Sequence, residues 1–202
     1  MSDDEELIWF RTDTFIELRD SMAFVLEHLK KFPEDISSFR WSVFGSALAL
    51  QGACVYQLYG HDTSGTAVLS ERSRRKTMLH LNERSKDHFP TQRLADPMEL
   101  LRRVSKPQET SNDFSTSWEK DDEDNCEHLI NLRNEFVHFL PQGWSHCLVG
   151  YPTSLKSCWK IIRALLTFKL DYAHRVPADL HSDMLEICDA IDIELNRLEA
   201  EL

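Results

Sequence analysis

The stretch WSVFGSALALQGACV, residues 41–55, is apolar on nearly every face and rich in small side chains. A surface helix carries one apolar stripe, whereas a helix that is hydrophobic all round is buried. The small residues suit close contact with neighbouring helices. The pattern predicts a central helix that begins near Ser37 or Ser38 and ends at Gly60.

Further helices are predicted on both sides of this segment. The capping-box pattern Thr14-Phe15-Ile16-Glu17 predicts a helix of about 18 residues that stops before Pro33. After Pro152, an apolar helix is predicted to run through Trp159 to Leu170. With only 6 Gly and 7 Pro against 28% charged residues, the composition leaves little room for a turn-rich sheet. The predicted fold class is all-α.

The chain is expected to form a single domain, residues 1–202, because 202 residues with 42% hydrophobic content can bury one core of ordinary size. Residues 63–120 are predicted to form a charged helical and loop insertion between the second core helix and the next long helix. Within it, 69–86 favours a basic amphipathic helix, and Asp96-Pro97 favours the start of a short helix over 98–104. A C-terminal helix is predicted at about 178–202.

The second informative stretch is RNEFVH, residues 133–138, within an apolar-periodic run that begins at Cys126 and is closed by Pro141 and Gly143. At about 100° per residue, the side chains within about 60° of Leu129 form the core stripe. They are Leu132, Phe136 and Leu140. Asn134 and His138 lie about 140° and 180° from Leu129, and Arg133 lies near 40°. This spacing places His138 on the polar face, Asn134 one turn before it, and Arg133 at the border.

An Arg followed by a polar residue and, five positions after the Arg, a His resembles the signature of the HEPN superfamily. The resemblance covers about 13–60 and 121–170, and it implies an antiparallel α-helical bundle with the motif near the end of a long helix. It also implies metal-independent cleavage of RNA. Arg133 would hold the scissile phosphate, His138 would transfer a proton to or from the ribose, and Asn134 would position His138 or the phosphate.

The function expected from this resemblance is a toxin or defence endoribonuclease that leaves a 2′,3′-cyclic phosphate and spares DNA. Its expected partners are an RNA substrate and an antitoxin or regulatory protein. On an ideal helix Arg133 and His138 diverge by about 140° and lie about 7.5 Å apart along the axis. One helix presents them poorly to a single phosphate, so a homodimer that pairs two copies of the helix around a twofold axis is expected.

Charge is distributed unevenly along the chain. The net charge of −11 argues against a protein that coats nucleic acid through bulk electrostatics. Residues 71–106, the basic segment, carry ten Lys or Arg against five acids, whereas residues 109–127, the acidic segment, carry eight acids and one Lys. The charged composition of both segments is typical of solvent-exposed surface. Alternatively, the basic segment guides a polyanion or an acidic partner and the acidic segment shields it.

A second function class is a non-catalytic helical interaction or nucleotide-binding module, in which RNEFVH is a structural face at a dimer seam. The aromatic residues Trp41, Phe44, Trp144 and Trp159 are expected in the core rather than in base stacking. No stretch reaches the roughly 18 apolar residues needed to cross a membrane.

The sequence predicts neither a cofactor nor a metal site. Cys126 and His128, with His146 and Cys147, could supply four ligands, but residues at i and i+2 of a helix point to divergent faces. The acidic start lacks the basic region of a secretory signal, and the five cysteines are scattered and odd in number. A reducing cytoplasm is the expected location.

Overall fold

The computed structural model describes residues 12–61, 65–84, 86–106, 117–138, 148, 150–168 and 177–201, without the side chains of 59–61 and 138. Over these residues the protein is all-α, with seven helices and no strand beyond one isolated bridge between Leu69 and Leu94. The helices are α1 (Thr14–Lys31), α2 (Ser37–His61), α3 (Glu71–Asn82), α4 (Pro97–Val104), α5 (Lys120–His138), α6 (Tyr151–Thr167) and α7 (Ala178–Glu201). The predicted fold class is confirmed at this level.

Helix α2 is the centre of the bundle, as its sequence predicts. It packs against α1, α4, α5 and α6, while α7 packs against α1 and α6. Val43, Ala47 and Leu50 are fully buried. Small residues set the distance to α1, because a Cβ placed on Gly45 would lie 2.6 Å from Cγ2 of Val25.

The start of α1 differs from the prediction. The cap is Asp13, not Thr14: its carboxylate accepts hydrogen bonds from the backbone N–H groups of Phe15 (2.9 Å) and Ile16 (3.1 Å). Asp13 has the extended backbone that a capping residue requires, so the acid one position earlier satisfies the free N–H groups and Thr14 begins the helix. At the other end of the chain, α7 closely matches the predicted bounds.

Part of the predicted insertion belongs to the core. Helix α4 buries Leu100, Leu101 and Val104 and packs on α2 and α5. The buried Arg103 fastens the segment before α3 to α4, because its Nη1 donates to the carbonyl oxygens of residues 67 and 69 at 2.7 Å each. The predicted cap is confirmed as well, since the Asp96 carboxylate accepts from the backbone N–H of Glu99 at 2.9 Å.

The aromatic residues expected in the core behave differently from one another. Trp159 is buried, and its Nε1 donates to Oγ of Ser46 at 3.1 Å. Trp41 is 39% exposed, so the prediction of a core position was wrong for this residue. It lies edge-on to Phe24 of α1 and Phe44 of α2.

Several predicted features lie outside the described residues. These are most of the turn at 61–65, most of the loop at 105–117, the stretch 144–151 apart from three of its residues, and the positions of Leu140, Pro141, Gly143, Trp144, His146, Cys147 and Leu170. Across the part of the chain that is described, no helix is both long enough and apolar enough to span a bilayer.

Candidate functional site

Helix α5 carries the RNEFVH residues, and its first turn is strongly acidic. Asp121, Asp122 and Glu123 lie at the positive end of the helix dipole, where carboxylates are stabilising. Asp122 also pairs with Lys160 of α6 at 2.5 Å. Burial would raise the pKa of Asp122, but hydrogen bonds from the backbone of Glu119 and from Lys160 lower it. The start of α5 is thereby tied to α6.

The rotation of α5 about its axis agrees with the angular prediction. Leu129 and Leu132 are buried and Phe136 packs partly buried against the core, whereas Glu127 and Asn131 are exposed. A polar contact with α6 supports this orientation: the Asn125 side chain donates to Oγ of Ser157 at 3.0 Å and accepts from Oγ of Ser154 at 3.4 Å.

Arg133 lies at the border between core and solvent, as its angle predicts. The side chain is partly buried, and its Nε is buried with no hydrogen-bond partner among the described residues. Desolvation lowers the pKa of the guanidinium. No carboxylate from the described ranges forms an ion pair with it. A guanidinium has five N–H donors and no acceptor, so Arg133 is equipped to receive an anion.

Asn134 and His138 both lie on the last part of α5. Asn134 is partly buried and stands one turn before His138, the last residue of α5. The side chain of His138 lies outside the described residues. The pairing of Asn134 with His138 therefore stays a prediction, as do the phosphate-binding role of Arg133 and the proton-transfer role of His138.

A cleft between α2 and α5, absent from the sequence predictions, lies close to Arg133. It has a volume of about 270 Å³ and is lined by Arg40, Trp41, Phe44, Phe136 and Val137. The guanidinium carbon of Arg40 lies 4.9 Å from the centre of the Trp41 ring. The signal in the sequence was the grouping of Arg40, Trp41 and Phe44 within five residues of one helix, but both aromatic residues were expected in the core.

The basic segment presents both charge and apolar surface. On and after α3, the side chains of Leu79, Leu81 and Phe89 are exposed. Arg75 pairs with Glu71 at 2.7 Å, inside the same helix. The ion pairs described for the acidic part of α5 stay within α5 or reach α6. The idea that the acidic segment shields the basic one therefore stays a prediction.

The cysteines in the described ranges are buried free thiols. Burial raises the pKa of Cys54 strongly and raises the pKa of Cys188 to about 12. Such thiols are poor nucleophiles, because the thiolate is the reactive form. Cys126 is buried, whereas His128 is exposed and stacks on Tyr151, so the two diverge as predicted. Among described residues, no group of three or more side chains is arranged to hold a metal ion.

Comparison with known proteins finds no match to this chain among protein-family models, curated proteins or solved structures.

Proposed function

We propose that the protein is a metal-independent endoribonuclease of HEPN type with a toxin or defence role, and that it uses Arg133 and His138. The observation that carries the proposal is the state of Arg133, which is partly buried, with a buried Nε that has no partner. An unsatisfied buried donor costs stability, and such groups call for an explanation such as a functional role. A phosphate oxygen is a suitable acceptor for this donor, because arginine donors match phosphate geometry.

The proposed chemistry is an internal transfer within the RNA strand. One group removes the proton of the ribose 2′-hydroxyl, the 2′-oxygen bonds to the neighbouring phosphorus, and the 5′-oxygen leaves and takes up a proton. The products are a 2′,3′-cyclic phosphate and a 5′-hydroxyl. His138 serves as the base or the acid, since histidine titrates near neutral pH and proton transfer contributes about 10² to 10⁴ in rate. Arg133 stabilises the charge that develops on the phosphate, and Asn134 positions His138 or the phosphate.

The proposal includes a homodimer with composite sites. On an ideal helix, Arg133 and His138 diverge by about 140°, so a phosphate bound to Arg133 of one chain is better served by His138 of the other. Mixing Arg133→Met and His138→Ala proteins tests this. In random mixing, half of the dimers contain one chain of each kind, and each of these has one intact site, so about one quarter of wild-type activity should return. No recovery after confirmed subunit exchange would contradict composite sites.

The experiment that tests the activity uses purified protein with pooled cellular RNA, and it compares wild type with Arg133→Met and His138→Ala. The matched control is Glu135→Ala, because Glu135 is exposed and lies between the two functional positions. The proposal predicts cleavage without added metal by wild type and by the control, and loss in the other two variants. Equal cleavage by the His138→Ala variant, or no cleavage of any RNA, would overturn it.

A second candidate function is a non-catalytic interaction module, which the exposed Leu79, Leu81 and Phe89 beside basic residues favour. Exposed apolar side chains rimmed by charge are typical of protein interaction sites. Expression in cells separates the two candidates. Growth arrest that requires Arg133 and His138 supports catalysis. The interaction module is supported if growth arrest persists when Arg133 and His138 are replaced but disappears in a Leu79→Ser, Leu81→Ser protein.

A further inference from the structure

The cleft between α2 and α5 joins exposed aromatic surface to positive charge. Trp41 is 39% exposed and Val137 is 40% exposed, and Phe44 and Phe136 supply further ring surface. Arg40 lies against the Trp41 ring, and none of the described residues that line the cleft carries a carboxylate. This composition suits a flat ring with a neighbouring negative charge better than it suits a cation.

Arg133 precedes two residues of the cleft, Phe136 and Val137, by three and four positions on α5. Val137 follows Arg133 by four residues on α5, and side chains at that spacing are neighbours, with Cβ atoms about 5–6 Å apart. Around the axis of an ideal helix, Arg133 lies between Phe136 and Val137, about 60° from one and about 40° from the other. A phosphate bound to Arg133 would therefore stand one helical turn from the mouth of the cleft.

The size of the cleft limits what it can hold. Its volume of about 270 Å³ lies just below the roughly 300–1,000 Å³ of sites for drug-sized ligands. A single base fits this space better than a large ligand does. Unpaired bases in RNA are commonly recognised by stacking on aromatic side chains and on arginine planes, and both kinds of group are present here.

We propose that this cleft binds one unpaired nucleobase of an RNA strand, stacked on Trp41, while Arg133 holds an adjacent phosphate. The inference rests on the proposed ribonuclease, because it assigns the subsite that fixes the strand beside Arg133.

The test measures binding separately from cleavage. Single-stranded oligonucleotides with uniform 2′-O-methyl ribose cannot form the cyclic phosphate, yet they keep bases and phosphates. A set of these probes, each with one abasic position, is titrated against the full-length protein by fluorescence anisotropy. In wild type, one abasic position should weaken binding about 10-fold or more, the range expected for loss of a stacked base. The Trp41→Leu protein should bind the intact probe about as weakly as wild type binds the abasic probe. The abasic position should not weaken binding to Trp41→Leu any further.

The matched control is Ile193→Ala, which removes an exposed apolar side chain of α7 outside the cleft and should leave the abasic pattern unchanged. Helical content by circular dichroism shows that each variant is folded, and Trp41→Phe, which keeps a stacking ring, should recover most of the affinity. An abasic effect of equal size in wild type and Trp41→Leu would overturn the inference. So would conversion of a dimer to a monomer by Trp41→Leu, since the cleft would then be a subunit contact.

The outcomes also separate this inference from the proposed activity. If no RNA is cut but binding still depends on the base and on Trp41, the proposed ribonuclease activity is contradicted and the base site is supported. If RNA is cut but every abasic probe binds as tightly as the intact probe, the base site is contradicted and the ribonuclease activity is supported.

Discussion

Replacing Arg133 by Met should separate the role of this residue in function from its role in folding. The guanidinium is partly buried, its Nε is buried without a partner, and burial lowers its pKa. A methionine keeps an unbranched side chain of similar reach along the core border and removes the charge. Arg and Met have similar helix propensities, so the backbone contributes little to the difference.

The expected change in stability follows from the unsatisfied donor. A buried polar group without a partner costs about 1–3 kcal/mol, and the rest of this guanidinium stays partly hydrated. We therefore expect the free energy of unfolding of Arg133→Met to equal that of wild type or to exceed it, by up to about 1 kcal/mol. The residue lies before the last turn of α5, so loss of its favourable interaction with the helix dipole is small.

The expected change in activity has the opposite direction. Removing one donor that stabilises developing charge typically costs about 10² to 10³ in rate. Urea unfolding followed by circular dichroism measures stability, and cleavage of a labelled RNA measures activity. The control is Lys30→Met, which removes an exposed positive charge of α1 outside the basic segment. A loss of 1 kcal/mol or more in stability for Arg133→Met, with activity reduced only in proportion to the unfolded fraction, would refute the reasoning.

Three further predictions concern the fold. Arg103→Met leaves two backbone carbonyls without their buried donor. It should lower the free energy of unfolding, measured with urea, by about 2–4 kcal/mol. The control Arg102→Met, which removes an exposed ion pair, should lower it by less than about 1 kcal/mol. Gly45→Ala should lower the free energy of unfolding by about 1–2 kcal/mol, and by more than Gly52→Ala does. The added methyl would lie 2.6 Å from its nearest atom at Gly45 and 3.1 Å from it at Gly52. Equal effects of the two substitutions in the same assay would contradict this. The pKa of Cys188 is raised to about 12, so alkylation at pH 8, followed by mass spectrometry, should be at least about 100-fold slower in the native protein than in urea.

The main architecture could be predicted because the evidence for it is local. Residues 41–55 are apolar on nearly every face, and only a buried central helix accommodates such a surface. On α5, the regular spacing of Leu129, Leu132 and Phe136 was enough to orient the helix, since a regular helix converts sequence distance into angle. The same angles placed Arg133 at the core border, where the structure has it.

Other features depend on contacts between distant parts of the chain. The burial of α4 involves Arg103, whose acceptors lie 34 and 36 residues away. The sequence pattern of an eight-residue helix does not indicate a contact with so distant a part of the chain. The exposure of Trp41 depends on which helices cover each side of α2. Its neighbours Arg40 and Phe44 could have suggested a site, but only the position of α5 turns them into a cleft. The unsatisfied Nε of Arg133 likewise follows from the packing around it.

The measurement that tests the central claim most directly is cleavage of an RNA that carries a single 2′-deoxy substitution. The cut sites of wild-type protein are first mapped on a defined RNA, and the nucleotide on the 5′ side of one cut is then replaced by its 2′-deoxy form. We predict that cleavage disappears at that site and persists elsewhere, and that each 5′ fragment ends in a 2′,3′-cyclic phosphate by mass spectrometry. Continued cleavage at the substituted site, or fragments that end in a 3′-hydroxyl, would contradict the account.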